Sequence, residues 1–215
     1  MRSANGTGKE QVLLAAKQQV APWDWSQDGR YLIFGSTLKG DGVDALPLGE
    51  EGKLGDRKPI PLIRGEFSFR HAQLSPDGRW LAYSSDESGR PEVYVQPFAP
   101  AYQKPPEGKW QISTEGGNQP RWRGDNKELY YQALDGRIMA SDVRATNTSF
   151  EHATPQTLFA PRVNPGDVTS GGFHYIVSAD GKRFLVAERP DPSNGDAAAP
   201  PITVVVNWLA ALKKN

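Results

Sequence analysis

The sequence predicts an all-β protein, a β-propeller of four four-stranded blades. Three observations point there. A phrase centred on Asp-Gly or Asp-Asn recurs four times, its Asp at positions 28, 77, 125 and 180, spacings of 49, 48 and 55 residues. Glycine (22) and proline (18) are abundant for 215 residues, which suits short strands joined by tight turns and suits long helices badly. The segment after each turn is apolar on both faces, as strands are when sheets stack on either side of them.

The first repeat reads Trp25-Ser26-Gln27-Asp28-Gly29-Arg30-Tyr31-Leu32-Ile33-Phe34, the second Leu74-Ser75-Pro76-Asp77-Gly78-Arg79-Trp80-Leu81-Ala82-Tyr83. The third centres on Asp125-Asn126 and the fourth on Asp180-Gly181. Gly or Asn takes positive φ in a tight turn, and the Asp carboxylate accepts a backbone N–H two residues on. A period of about 40–50 residues with several strands each is propeller spacing. Two further strands follow each hairpin: Val43–Leu48 and Pro59–Ile63, then Glu92–Phe98 and Lys109–Ser113, then Arg137–Val143 and Gln156–Phe159.

The fourth unit runs short. After Arg183–Glu188 comes a low-complexity stretch from Pro190 to Pro201, then the strand Ile202–Asn207. The apolar segment Glu10–Ala16 belongs to no unit and is expected to supply the missing strand, although Leu, Ala, Lys and Gln there also favour helix. The chain is thus expected to be one domain, residues 1–215, with blades at about 20–65, 66–115, 116–160 and 170–207 and with strand 10–16 closing the last. Two closed forms satisfy that strand count. One is a four-bladed monomer; the other is a strand-exchanged homodimer in which two chains make an eight-bladed ring.

Composition removes several functions. Lys+Arg and Asp+Glu are both 25, so no net field favours nucleic acid or an anionic membrane. There is no cysteine, hence no thiolate nucleophile and no Cys-ligated zinc. No apolar run is long enough to span a bilayer, and the first residues have no signal-peptide core. Gly6-Thr7-Gly8-Lys9 fails the phosphate-loop spacing, because position 3 is Ser and position 10 is Glu. No Gly-x-Ser-x-Gly elbow is present. No cofactor and no metal site are expected. The repeated aspartates are spread one per unit and read as turn residues.

The candidate site lies where the first strand of each unit starts and faces the central channel. His71 and His174 occupy that place, with Arg70, Asn118 and Gln119 beside them, and together they form a possible channel-mouth polar site. The alternative is a single hydrogen-bonded or exposed histidine in each unit. The six tryptophans read mainly as inter-blade core, with Trp23 beside Pro22 as a candidate aromatic ligand platform. These features suit a non-catalytic binding or sensor module for a protein, peptide or glycan. Two other readings stand beside it: a propeller hydrolase or lyase using channel-facing His and carboxylates, and a structural fragment without independent function.

Leu74–Tyr83 followed by Glu92-Val93-Tyr94-Val95 resembles the TolB/PD40-type WD40-like repeat. Asp86–Phe98, Trp110–Gly117, Pro120-Arg121-Trp122 and Ile202–Trp208 resemble the C-terminal region of acidobacterial-type bacterial serine/threonine kinases. That resemblance implies a parent with an N-terminal kinase domain and an extracytoplasmic propeller, of which this chain looks like the last four units. The kinase motifs, a Gly-rich phosphate loop, His-Arg-Asp and Asp-Phe-Gly, are absent here, so kinase activity is not implied for this chain.

Overall fold

The computed structural model describes residues 12–16, 18–36, 40–49, 58–100, 107–146, 149–162 and 172–187, together with the backbone of 202–206. Among them there is no helix and there are sixteen strands. The first antiparallel sheet holds β1 (Val20–Trp25), β2 (Tyr31–Ser36), β3 (Val43–Pro47) and β4 (Ile60–Ile63) in that order. The second repeats the pattern with β5 (Phe69–Leu74), β6 (Trp80–Ser85), β7 (Glu92–Pro97) and β8 (Trp110–Gln111). The third holds β9 (Asn118–Trp122), β10 (Glu128–Gln132), β11 (Ile138–Ala145), β12 (Phe150–His152) and β13 (Gln156–Phe159), with β12 and β13 both pairing with the long β11. The fourth has β14 (Tyr175–Val177), β15 (Arg183–Ala187) and β16 (Ile202–Val206). Each is the four-stranded meander of a blade or a variant of it.

The recurring phrase builds the same hairpin in every sheet. In the second, Asp77 accepts the Ser75 hydroxyl at 2.6 Å and the Arg79 N–H at 3.1 Å, while Ser75 Oγ accepts the Trp80 N–H at 2.9 Å. Asp28 with Ser26 and Asp180 with Ser178 repeat this set. The third unit has Arg123 where the others have Ser, and the guanidinium bonds Asp125 directly at 2.7 Å. Left-handed φ falls at Gly29, Gly78 and Gly181 and, in the third unit, at Asn126, the side chain that tolerates it best after glycine.

Strand residues then alternate between two stacking faces. Leu81 and Tyr83 pack with Trp23, Ile33 and Val43 of the first sheet. Trp80 and Ala82, one residue out of phase, pack with Trp122, Leu129, Tyr131 and Phe150 of the third. Tyr130 turns the other way, onto Tyr175, Phe184 and Val186 of the fourth. Each fully buried Leu, Ile or Phe contributes roughly 1.5–3 kcal/mol, so three stacked interfaces hold the sheets in order.

One expectation is not met within the single chain. The segment expected to lie as a strand beside Ile202–Asn207 carries no strand over its described part, Val12–Ala16. Leu13 and Leu14 instead pack on Phe34, Leu46 and Leu48, the outer face of the first sheet. That face is as apolar as the inner ones, and these leucines cover part of it. The fourth sheet has three strands among the described residues. Residues 10, 11 and 207 lie outside the described residues.

Candidate functional site at the head of the inner strands

The first strands of the four sheets lean on one another through side-chain to backbone bonds. Asp24 Oδ2 accepts the Leu74 N–H at 2.7 Å, Trp122 Nε1 donates to Gln73 O at 3.2 Å, and the Tyr175 hydroxyl donates to Gln119 O at 2.9 Å. His71 of the second sheet reaches past the third, its Nε2 lying 3.2 Å from Gly172 O and its ring 5.0 Å from Phe173 in an edge contact. The heads of β5 and β9 therefore both reach the segment that leads into β14.

Each of the first three inner strands carries a bulge. The register slips between Pro22 and Asp24, between Arg70 and Gln73, and on β9 between Asn118 and Arg121. Inside two of these bulges sit His71 (φ 54°) and Gln119 (φ 55°), both left-handed and both without exposed surface. A non-glycine residue there costs of order 1–2 kcal/mol, so the surroundings must hold it. They do for Gln119: its Oε1 accepts the His174 N–H at 2.7 Å and its Nε2 lies 3.2 Å from His174 Nδ1. Counting back six residues from each turn Asp lands on Pro22, His71, Gln119 and His174. Three of the sequence candidates are thus one repeat position seen in three sheets.

The structure sorts the remaining candidates. Arg70 is half-buried, and its carbonyl accepts the Ser84 hydroxyl at 3.2 Å. Asn118 is buried and lines a cleft of about 170 Å³ with Arg70. Trp23 is 6% exposed and sits in the core between the first two sheets. A Cβ at Gly35 would come within 2.3 Å of its indole, so the ring occupies the space a side chain there would need. Trp23 is therefore packing and not a ligand platform.

Sequence reasoning missed two half-buried charged residues near the site. Asp24 and Arg121 both lie four residues before a turn Asp, in the first and third sheets. The Arg121 guanidinium stands 3.6 Å from the centre of the Phe173 ring, a cation–π contact. Burial pushes the Asp24 carboxyl above its ordinary range, against the Leu74 and Trp25 N–H groups and the Arg121 charge. Burial likewise lowers Arg121, while Tyr175 and Asp24 favour its charged form. The repeat count from the turn Asp is the signal that finds both.

Two further features are structural. Glu92 is 1% exposed and accepts the Ser113 hydroxyl, the Gly116 N–H at 2.9 Å and Arg90 Nε at 2.8 Å. The stretch Arg90-Pro91-Glu92 thereby ties β7 to the loop before β9. A groove of about 810 Å³ lies at the opposite end of the inner strands. Much of its charge is paired within its own turns, Arg79 with Asp77 and Arg123 with Asp125 and Glu128. Among the described residues no group of three or more His, Asp or Glu is placed to hold a metal ion. No helix there is long and apolar enough to cross a membrane.

No family model matches the sequence, and no curated protein matches it. Solved structures do. TolB from Acinetobacter baumannii superposes with a TM-score of 0.61 at 18% identity, over 96% of this chain and 48% of that one. An oligogalacturonate lyase in complex with manganese gives 0.58 at 15%, over 99% and 54%. The Cps50 (Swd1) β-propeller domain of Myceliophteria thermophila gives 0.50 at 15%, over 90% and 58%. Repeats, sheets and superpositions define a β-propeller module. Its fold is TolB-like, and the chain spans about half the length of the structures it matches.

Proposed function

We propose that this chain is a non-catalytic binding module that engages its ligand at the head of the inner strands. One observation carries the reading. Two non-glycine residues, His71 and Gln119, are held left-handed at the same repeat position, where polar groups from three sheets meet. Strain of this kind concentrates at functional sites. His71 and Gln119 have no exposed surface, so they hold the site. Arg70 and His174, half-buried, offer the groups a ligand touches. Asn118 opens the adjoining cleft.

The ligand is a protein, peptide or glycan; the site's polar groups belong to neither a nucleic-acid stripe nor a membrane face. The kinase-region resemblance supports a parent that is a bacterial serine/threonine kinase carrying this module on its extracytoplasmic side. A thermal-shift screen of peptides, oligosaccharides and metal ions tests the reading. A hit should lose its stabilisation in Arg70→Ala and His174→Ala. A hit unaffected by both substitutions would place the ligand elsewhere. Turnover of a hit by the purified chain would contradict the non-catalytic assignment.

A further inference from the structure

Arg121 on β9 is a half-buried cation whose charge has no direct partner among the described residues. Its guanidinium forms no ion pair and donates no hydrogen bond there, and its Nε is closed off from solvent. Arg123, two residues on, shows the contrast: its guanidinium is paired with Asp125 and Glu128. What holds Arg121 is Phe173, whose ring centre lies 3.6 Å from the guanidinium. The same ring takes His71 in an edge contact, with centres 5.0 Å apart, so the platform is itself fixed. Asp24 attracts Arg121 without forming an ion pair with it, and its Oδ2 is already taken by the Leu74 N–H at 2.7 Å. A charge withdrawn from water without a counter-charge is costly.

We propose that Arg121 is the anchor for a carboxylate carried by the ligand. The inference rests on the binding-module reading above and narrows its ligand to an acidic one. Phe173 covers one face of the guanidinium and Nε is closed off, so a ligand meets the Nη1 and Nη2 end edge-on. N–H groups lying in one plane match the two oxygens of a carboxylate. A ligand ammonium is repelled by the guanidinium, and an apolar group covers it without a hydrogen bond. A neutral hydroxyl or amide accepts an N–H and leaves the charge uncompensated. Asp24 does not reverse this preference, because its carboxyl is held by the Leu74 and Trp25 N–H groups and burial favours its neutral form. Phe173 is followed directly by His174, which ties the anchor to the site already described.

The test is titration of the whole chain, followed by NMR, with two acids, N-acetylglycine and galacturonate. Each is run against its uncharged counterpart, N-acetylglycinamide and galactose. At least one acid should shift the amide signals of residues 121 and 173 while its counterpart does not. The acid that binds shows whether the carboxylate belongs to a peptide or to a sugar. Arg121→Met should weaken its binding roughly tenfold or more, because the carboxylate loses a charged donor. Arg121→Lys keeps the charge but loses the planar fork and should weaken it less; it is the variant read if Arg121→Met fails to fold. Acid binding undiminished in the variant read overturns the proposal. So do an acid bound no more tightly than its counterpart, the absence of binding by either acid, and tighter binding of inorganic phosphate than of both. A neutral ligand that is lost in Arg70→Ala and His174→Ala but kept in Arg121→Met removes the carboxylate anchor and leaves the binding module standing.

Discussion

Gln119 grips His174 twice, with its Oε1 2.7 Å from the backbone nitrogen and its Nε2 3.2 Å from Nδ1 of the ring. With Nε2 of the amide donating, the imidazole carries its proton on its own Nε2. The Gln119 carbonyl meanwhile receives the Tyr175 hydroxyl at 2.9 Å. One residue on β9 therefore fixes the start of the fourth sheet.

Gln119→Ala and Gln119→Gly separate the amide from the backbone. Both lose the bonds to His174, at a cost of about 1–3 kcal/mol. Only glycine takes the left-handed φ without strain, so Gln119→Gly should be the more stable variant by about 1 kcal/mol. Urea denaturation of the two proteins measures the difference. Equal stabilities, or a more stable alanine variant, would show that the backbone at 119 is not left-handed in solution.

Asp77→Ala should lower stability by roughly 0.5–2 kcal/mol, the scale of a lost side-chain to backbone cap. Ligand binding should be unchanged, since the turn lies at the far end of β5 from Arg70. A variant of full stability that no longer binds would make Asp77 a site residue.

Glu92 should be far less tolerant. It is 1% exposed and serves Ser113, Gly116 and Arg90 together. Glu92→Ala leaves buried donors unmet, and a loss of about 3 kcal/mol is expected. A thermal melt within a degree or two of the parent would show that the loop at 113–116 is held otherwise.

Acid stability follows from the turn aspartates. The Arg30 N–H and the Ser26 hydroxyl hold the Asp28 carboxyl down at about 2, below its ordinary 3.8. The Arg123 guanidinium, aided by the Lys127 N–H, does the same for Asp125, also to about 2. A folded pKa below the unfolded one gives stability that is complete above about pH 4 and is lost as pH falls towards 2. Asp24, raised by burial, works the other way: its ionisation above its ordinary range disfavours the fold. The melting temperature should thus fall between pH 4 and pH 2, with a shallower fall in Asp28→Asn. An unchanged slope in that variant would remove Asp28 from the explanation.

The turns and most strands were legible because their causes are local. Asp28, Asp77 and Asp180 each bond a backbone N–H two residues on, and such contacts recur wherever the phrase recurs. The two-faced apolar runs announced stacking on both sides, as Leu81 and Trp80 show. The site was harder. His71 and Gln119 carry no turn signature, and their left-handed φ depends on partners in other sheets, 101 residues away for His71 and 55 for Gln119. Trp23 looked available beside Pro22 because nothing local says that Gly35 leaves room for its ring. Strand β12 was missed because β11 runs on past its pairing with β13, and only Phe150, buried against Trp80 and Trp110, marks the extra strand.

The most direct measurement is amide chemical-shift mapping of the ligand that emerges from screening. Signals of Arg70, His71, Asn118, Gln119 and His174 should move together on titration, and the movement should vanish in Arg70→Ala and His174→Ala while the rest of the spectrum stays folded. Shifts confined to the far groove, around Arg79, Arg123 and Arg144, would contradict a site at the head of the inner strands.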